Sequence, residues 1–164
     1  MPGKVVSDMQ KIASFTVDHR LIKEWIYISR VDGDITTYDI RMRKPNTGDV
    51  MSNALMHSFE HLFATFMRNG SLREDVVYVG PMGCQTGFYL LIRNADHKKV
   101  LNEVKRVLAE IGSFKGEMPG KSEIECGNYI NLDVNIASNE AVRYLEKIKE
   151  ETENDLIYEN GESI

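Results

Sequence analysis

Two histidines stand four residues apart at His57 and His61, and Glu60 lies between them. On an α-helix, positions i and i+4 share one face, so both imidazoles can reach the same metal ion. At about 100° per residue, the Glu60 carboxylate is about 60° around the helix from His57, beside a metal without having to bind it. This spacing therefore predicts a helix that carries two metal ligands and a neighbouring general acid/base.

The residues around this motif predict a helix that ends near Gly70. Asp49 and Ser52 are candidate N-caps, and Asn69–Gly70 is a typical C-terminal stop. The side opposite the histidines carries four apolar residues: Leu55, Phe59, Leu62 and Phe66. Alone, however, the motif is short, and two exposed histidines on a solvated helix face remain an alternative interpretation.

Arg68 falls on the same helix face as the two histidines. It follows His57 by eleven residues, which returns it to within about 20° of the same direction and places it roughly 10 Å beyond His61. Ala64, between them on that face, leaves space. An arginine at this distance suits the anionic end of a small substrate.

The composition indicates one globular domain and argues against nucleic acid as the main partner. The chain has 164 residues, 42% of them hydrophobic, and a net charge of −5 without a basic block. Residues 1–14 contain no apolar run or cleavage-site pattern, and no stretch is long enough to span a bilayer. We therefore expect neither a signal peptide nor a membrane partner. Cys84 and Cys126 are then expected to be thiols in the reducing cytoplasm.

Alternating apolar residues and turn signals predict an α+β fold, in which an antiparallel sheet is packed with α-helices. Strands are expected at 25–29, 35–42, 76–79 and 88–93, and the turn at 31–34 joins the first two in a hairpin. The second strand has two different faces. One carries Tyr38, Ile40 and Met42, and the other carries Asp39 and Arg41.

Two further helices are expected after the one that carries the histidines. Asp96 is a good N-cap for a helix that runs to about Ile111, and Ser138 is the expected N-cap of a last helix that ends near Glu150. No repeat or linker divides the chain, so residues 1–164 are expected to form a single domain. Within it, residues 1–13 are an irregular lead-in, and residues 151–164 are expected to form a loose acidic tail.

The two cysteines are the remaining candidates for chemistry. Cys84 lies between Gly83 and Gly87, in a turn-rich loop where glycines let the backbone approach a ligand. Two helical histidines need a third ligand, and three protein ligands with an open fourth position are the catalytic arrangement of zinc. Cys84 and Cys126 both remain candidates for the third ligand, and the alternative for either is a small buried thiol.

Five short segments together resemble one known family. Three of them, HSFEH at 57–61, PMGCQTG at 81–87 and ECG at 125–127, look like the motifs of S-ribosylhomocysteine lyases, the LuxS family. The segments 14–19 and 39–41 match the early motifs of that family. The resemblance runs from about residue 14 to residue 149 and keeps the order of every motif, which is far more specific than any single one.

The resemblance implies a role for each matched residue. The implied metal ligands are His57, His61 and Cys126, and the implied acid/base residues are Glu60 and Cys84. The residues implied to line or hold the substrate are Ser14, His19, Arg41 and Arg68. The family's metal is ferrous iron, Fe(2+), which zinc often replaces on isolation, and a set of two histidines and one cysteine suits either ion. The family also implies a homodimer with its sites at the subunit interface, where the N-terminal segment of one subunit helps to close the site of the other.

The implied reaction is the cleavage of S-ribosylhomocysteine into homocysteine and 4,5-dihydroxy-2,3-pentanedione, which cyclises into forms of autoinducer-2. It consists of two aldose–ketose-type isomerisations, which move the carbonyl to C3, and a β-elimination at the C5–sulfur bond, without an organic cofactor. One position departs from the family pattern. Tyr78 stands where the family commonly has an aspartate that is expected to meet the substrate's amino group.

Two other classes of protein are alternatives. The string His-x-x-Glu-His also occurs in inverzincin peptidases, which are much longer chains and take a downstream glutamate as third ligand. A non-catalytic metal-binding protein would instead use both cysteines in a closed site of two histidines and two cysteines. Such a closed site would protect Cys84 from thiol reagents, whereas the lyase needs this thiol free.

Overall fold

The computed structural model describes residues 9–159, and in that part of the chain four antiparallel strands form one sheet. The strands are β1 (Ile26–Asp32), β2 (Ile35–Arg41), β3 (Val76–Pro81) and β4 (Gly87–Arg93). The helices are α1 (Asn53–Arg68), α2 (His97–Ser113) and α3 (Val134–Ile148). The strand order is β1-β2-β4-β3, so two hairpins lie side by side and β2 pairs with β4 in the middle. The expected α+β class with an antiparallel sheet is confirmed.

The hydrophobic core lies between one face of the sheet and the three helices. On β2, the predicted inward face is confirmed, because Tyr38, Ile40 and the following Met42 are fully buried. The central strand β4 contributes Phe88, Leu90 and Ile92, and the helices contribute Phe59, Leu62, Phe63, Val104, Val107, Leu108 and Tyr144. A strand presents alternate residues to opposite faces, so the odd-numbered residues of β2 and β4 point away from this core. The site described below uses that outer face.

Helix α1 begins at one of its two predicted caps. The Ser52 side chain accepts a hydrogen bond from the backbone N–H of Leu55, at 3.1 Å, which satisfies one of the free donors of the first turn. Asp49 lies outside the helix and pairs with Arg43 at 3.3 Å. The helix ends at Arg68 with Asn69 as its C-cap, as expected from the Asn69–Gly70 stop. Asp96 likewise caps α2, which extends to Ser113.

The start of α3 corrects the sequence-based prediction. The cap is Asp133, whose side chain accepts a hydrogen bond from the N–H of Asn135 at 2.8 Å, and the helix runs over Val134–Ile148. Ser138 lies inside the helix and is buried. Both residues are good N-caps by type, but Asp133 is exposed and caps the first turn, whereas Ser138 lies one turn further on, buried within the helix.

The C-terminal segment also corrects its prediction, because residues 151–158 are packed rather than loose. The Glu151 carboxylate accepts the N–H of Ile26 at 3.0 Å, and burial raises the pKa of Glu151 to about 9. The carbonyl of Leu156 accepts the N–H of Ile28 at 2.7 Å. Tyr158 stacks on Tyr27 with ring centroids 4.6 Å apart.

The two ends of the chain fall partly outside the described residues. The lead-in expected over residues 1–13 is described only from residue 9, and the tail only to residue 159. Ala13–Phe15 form one short 3₁₀ turn. Among the described residues, no helix is long and apolar enough to cross a bilayer.

Candidate metal centre

Three potential metal ligands converge between α1 and the loop that precedes α3. One ligand atom each from His57, His61 and Cys126 lies within 4.8 Å of the other two. The Cys126 sulfur is 3.3 Å from Nε2 of His57 and 3.8 Å from Nε2 of His61. The two imidazole rings are perpendicular, with centroids 4.7 Å apart. Of the two cysteines that the sequence left open, Cys126 is the one that joins the histidines.

Hydrogen bonds on the far side of each ring set which nitrogen faces the sulfur. Nδ1 of His61 lies 2.8 Å from the carbonyl oxygen of Pro119, which can only accept, so Nδ1 carries the proton. Nδ1 of His57 lies 2.7 Å from Oδ1 of Asn131. The Asn131 amide is oriented in turn, because its Nδ2 donates to Oδ1 of Asn53 at 2.8 Å. Both Nε2 atoms therefore present a lone pair toward the Cys126 sulfur, as metal-binding imidazoles require.

The spacing of the three donors fits one divalent ion. Tetrahedral zinc, with bonds of about 2.3 Å to sulfur and about 2.0 Å to nitrogen, holds the two atoms about 3.6 Å apart. The observed sulfur–nitrogen distances of 3.3 and 3.8 Å bracket that value. Two imidazoles and one thiolate leave a fourth position open, which is the arrangement of a catalytic rather than a structural site. The three side chains therefore form a group that could hold a metal ion.

The loop that carries Cys126 approaches α1 closely, and a glycine makes this possible. Gly120 has φ +72°, a conformation that side chains disfavour, and a Cβ there would lie 3.0 Å from Nδ1 of His61. The Cys126 N–H donates to the carbonyl of Ser122 at 3.0 Å. Lys121 donates to the carbonyl of Leu132 at 2.7 Å, which joins the two ends of the loop.

Glu60 lies on α1 beside the two histidines and is half-buried. In residues 9–159, its carboxylate has no hydrogen-bond or ion-pair partner, in contrast to the buried acids Asp39, Glu103 and Glu140. A carboxylate without a partner among the described residues, next to three potential metal ligands, is the type of group that can exchange protons with a ligand.

Cys84 is exposed, on the turn that joins β3 to β4, and lies outside the group of three metal ligands. Its sulfur is 2.9 Å from Oγ1 of Thr86. Gln85, at φ +63°, fastens the turn to the start of α1, because its side chain donates to the carbonyl of Met51 at 2.9 Å. A closed site that uses both cysteines is therefore not formed by the described residues of one chain.

Arg41 lies behind Cys84 on the outer face of the sheet and is buried. Its guanidinium pairs with Asp39, at 3.0 Å from Nε and 2.7 Å from the second nitrogen, and donates to Oγ1 of Thr86 at 2.9 Å. Burial disfavours the charged guanidinium, but the hydrogen bonds and charge of Asp39 outweigh burial and raise the pKa of Arg41. Arg41, which the family resemblance marks as substrate-binding, is thus held against the turn that carries Cys84.

The other three residues expected to meet a substrate are not joined to the metal ligands by any hydrogen bond in residues 9–159. Ser14 lines a shallow pocket of about 270 Å³ on the outer face of the sheet, together with Tyr78, Tyr89 and Leu91. Nδ1 of His19 lies 3.0 Å from the carbonyl of Val17. Arg68 is turned toward the edge strand β3, where it donates to the carbonyl of Val77 at 3.0 Å.

Three groups of the site were missed by reasoning from the sequence. Asn131, five residues after Cys126, is a polar residue close to a ligand and was a detectable signal. Thr86, two residues after Cys84, lies within the PMGCQTG motif, but its residue type alone does not indicate a role. The Pro119 carbonyl has no sequence signal, because a backbone acceptor is available at any residue.

Comparison with known proteins places these residues in one family. The family model described as S-Ribosylhomocysteinase (LuxS) matches residues 12–155. A Clostridium acetobutylicum protein named S-ribosylhomocysteine lyase is 47% identical over 139 residues, 79% of this chain and 86% of that protein. A Clostridium beijerinckii protein of the same name is 43% identical over 162 residues, 93% of this chain and 100% of its own length. A third, from Borrelia garinii, is 40% identical over 156 residues, 92% of this chain and 99% of its own length.

Proposed function

The chain belongs to the S-ribosylhomocysteinase (LuxS) family, and we propose that it is an S-ribosylhomocysteine lyase, which cleaves the carbon–sulfur bond of its substrate. The observation that carries this function is the convergence of His57, His61 and Cys126 on one position, beside Glu60, whose carboxylate has no partner in residues 9–159. The products are homocysteine and 4,5-dihydroxy-2,3-pentanedione. Together they contain all the atoms of the substrate, so the reaction needs no oxidant, reductant or water.

We propose Fe(2+) as the metal in the cell, with zinc as its replacement on isolation, because two imidazoles and one thiolate suit either ion. His57, His61 and Cys126 hold it. When bound, the metal supplies a Lewis acid for the substrate oxygens on which negative charge develops. The protein's share is to keep both Nε2 lone pairs aimed at the same position, which the contacts to Asn131 and Pro119 support.

Glu60 and Cys84 are the proposed proton carriers. Each isomerisation removes a proton from the carbon next to a carbonyl and returns one to the neighbouring carbon, so that the carbonyl moves from C1 to C2 and then to C3. Loss of the C4 proton then breaks the C5–sulfur bond, and the homocysteine thiolate takes up a proton. A carboxylate and a thiol are suited to these transfers, because each can accept and return a proton without leaving its place.

We also propose a homodimer whose sites lie at the subunit interface. In one chain, Cys84 points toward Arg41 and Thr86 on the outer face of the sheet, whereas the metal ligands lie between α1 and the loop before α3. The same outer face and the N-terminal segment expose Ile12, Phe15 and Tyr78, each more than half accessible. A second copy that covers this apolar surface would bring Ser14 and His19 to the site.

We further propose that the enzyme is cytoplasmic and that its product is a precursor of autoinducer-2. The net charge of −5 and two free thiols suit a reducing compartment and a small-molecule substrate rather than nucleic acid. Neither alternative class has an observation in its favour. A closed metal site would need the Cys84 sulfur, which lies beside Thr86 instead, and the family match leaves no support for a peptidase.

Product analysis tests this function. Metal-loaded protein, incubated without oxygen with S-ribosylhomocysteine, should yield homocysteine and dihydroxypentanedione in equal amounts by mass spectrometry. The adenosylated precursor of the substrate, whose ribose C1 is blocked and forms no aldehyde, is the control and should remain intact. Folded, metal-loaded protein that leaves S-ribosylhomocysteine unchanged would contradict the proposal.

A further inference from the structure

A continuous chain of hydrogen bonds links the C-terminal segment to the exposed thiol of Cys84. The Tyr158 hydroxyl donates to Oδ2 of Asp39 at 2.7 Å. Asp39 accepts two N–H groups of Arg41, and a third N–H of Arg41 reaches Oγ1 of Thr86 at 2.9 Å. The same Oγ1 lies 2.9 Å from the Cys84 sulfur. Four contacts thus join five side chains drawn from β2, the β3–β4 turn and the end of the chain.

Chemistry determines the direction of every hydrogen bond in this chain except the one between Thr86 and Cys84. An ionised Asp39 only accepts and Arg41 only donates, so Tyr158 must donate to the carboxylate and Thr86 must accept from the guanidinium. Burial first, and then the charge of Asp39, raise the pKa of Tyr158, which keeps its hydroxyl protonated. Thr86 has one hydroxyl proton, and among the described residues the Cys84 sulfur is the acceptor within reach of it. A neutral thiol can also donate to Thr86, whereas a thiolate at Cys84 can only accept.

Four of the five groups are shielded from water. The exposed fractions are 1% for Asp39, 3% for Arg41, 5% for Thr86 and 8% for Tyr158, whereas Cys84 is exposed. A buried donor that loses its acceptor costs more free energy than an exposed one, and this cost favours orientation of the buried Thr86 hydroxyl toward the sulfur. The sulfur meets solvent and substrate on one side and a fixed donor on the other.

We propose that Thr86 and Tyr158 are positioning residues for Cys84: the Thr86 hydroxyl donates to the sulfur and orients it, and Tyr158 holds the Asp39–Arg41 pair that orients Thr86. This inference rests on the proposed function, in which Cys84 carries protons. Among the described residues, Arg41 on β2 and Tyr89 on β4 interact electrostatically with Cys84, and Asp39 on β2 interacts with both of them. A sulfur that accepts from Thr86 is stabilised as the thiolate, the form that removes a proton from carbon.

The proposal gives the C-terminal segment a function. The family model ends at residue 155, so Tyr158 lies beyond the matched residues. Its ring stacks on Tyr27 at 4.6 Å, which fixes the position from which the hydroxyl reaches Asp39. Residues that follow the last helix therefore act on the reactive turn through a buried ion pair, without contact with the substrate.

The reactivity of Cys84 tests this proposal independently of turnover. The probe is iodoacetamide at a fixed neutral pH with metal-loaded protein, in which Cys126 is protected as a ligand, and peptide mass spectrometry locates the modified sulfur. Thr86→Val, which keeps the shape of the side chain, should slow alkylation of Cys84 and lower kcat by roughly tenfold to a hundredfold, with KM little changed. Thr86→Ser restores the hydroxyl and should return both rates to within about threefold of the wild-type values.

Tyr158→Phe is the second variant, because it keeps the stacked ring and removes only the hydroxyl. Tyr38→Phe is its matched control, since it removes the hydroxyl of another buried tyrosine, which contacts His97 at 2.6 Å on the other face of the sheet. We expect Tyr158→Phe to slow alkylation of Cys84 more than Tyr38→Phe does at a similar loss of Tm. Equal alkylation rates in these two variants would overturn the role of Tyr158, and a wild-type rate in Thr86→Val would overturn that of Thr86.

The two proposals fail separately in this experiment. A wild-type enzyme that releases no thiol from S-ribosylhomocysteine would contradict the lyase function, while the alkylation rates would still decide the roles of Thr86 and Tyr158. Normal thiol release by Thr86→Val, together with wild-type alkylation, would contradict the positioning roles and leave the lyase intact. If Thr86→Val does not fold, the alkylation rates of Cys84 in Thr86→Ser, Tyr158→Phe and Tyr38→Phe decide whether the positioning proposal stands.

Discussion

Nδ1 of His57 lies 2.7 Å from Oδ1 of Asn131, on the side of the ring away from Cys126. This contact selects the tautomer in which Nε2 has a free lone pair, 3.3 Å from the Cys126 sulfur. The two residues are 74 positions apart in the chain, so the metal-binding group depends on the folded loop and not on α1 alone.

The Asn131 contact predicts a loss of metal affinity on substitution. Asn131→Leu removes the acceptor for His57 Nδ1 and should weaken zinc binding by about tenfold to a hundredfold. Asn131→Asp keeps an acceptor at the same position and should bind at least as tightly as the wild-type protein. Competition with a chromogenic chelator gives the affinities, and equal values for the leucine and wild-type proteins would contradict the role of Asn131.

The proposed role of Glu60 predicts that its substitution lowers turnover without affecting metal binding. Glu60→Gln keeps the size of the side chain but removes its basicity, so it should retain one metal per chain and the wild-type Tm while kcat falls by about a hundredfold or more. Metal analysis and steady-state kinetics on the same preparation check both halves. Near-normal turnover with full metal content would mean that another group moves these protons.

The proposed composite site predicts complementation between two inactive variants. Cys126→Ala should lack metal and Cys84→Ala should keep it, and each homodimer should be inactive. If each site takes its metal from one subunit and Cys84 from the other, a mixed dimer contains one intact site and should recover about half of the wild-type activity. Mixed dimers isolated with two different affinity tags provide the test. Inactive mixed dimers would show that each chain supplies its own complete site.

The raised pKa of Glu151 predicts that the free energy of unfolding of the protein falls as the pH rises above the acidic range. Burial raises the pKa of Glu151 from 4.5 to about 9, so between these values the unfolded chain releases a proton that the folded chain retains. The free energy of unfolding therefore decreases with pH across this window. Glu151→Gln should flatten the decrease, whereas Glu150→Gln, at the exposed neighbouring position, should not. Urea unfolding at several pH values between 5 and 8.5 measures the slopes, and identical slopes in the two variants would refute the assignment.

The features of this molecule that depend on local sequence were predicted better than those that depend on contacts between distant residues. The start of α1 at Ser52, the start of α2 at Asp96 and the inward face of β2 follow from caps and alternation that a short window of sequence contains. The choice between Asp133 and Ser138 as the cap of α3 did not follow, because both residue types cap helices equally well. That choice depends on which residues the core buries.

The parts that sequence reasoning missed depend on long-range contacts. The tail is packed because Glu151 meets Ile26, 125 residues earlier, and because Tyr158 meets Asp39, 119 residues earlier. The pairing of Arg41 with Thr86 spans 45 residues and requires that β2 lie next to β4. Two of the three potential metal ligands could be predicted because they share one helix, and the third was implied only by the family's motifs; the structure brings all three together.

The most direct test of the central claim is thiol release from S-ribosylhomocysteine by Fe(II)-loaded protein under anaerobic conditions, followed with a chromogenic thiol reagent in wild type and in Cys84→Ala. We expect stoichiometric release of homocysteine by the wild-type enzyme and a loss of most activity in the variant, although the variant binds the metal normally. Equal release by both proteins would remove Cys84 from the mechanism. No release by folded, metal-loaded wild-type protein would contradict the assignment as a lyase.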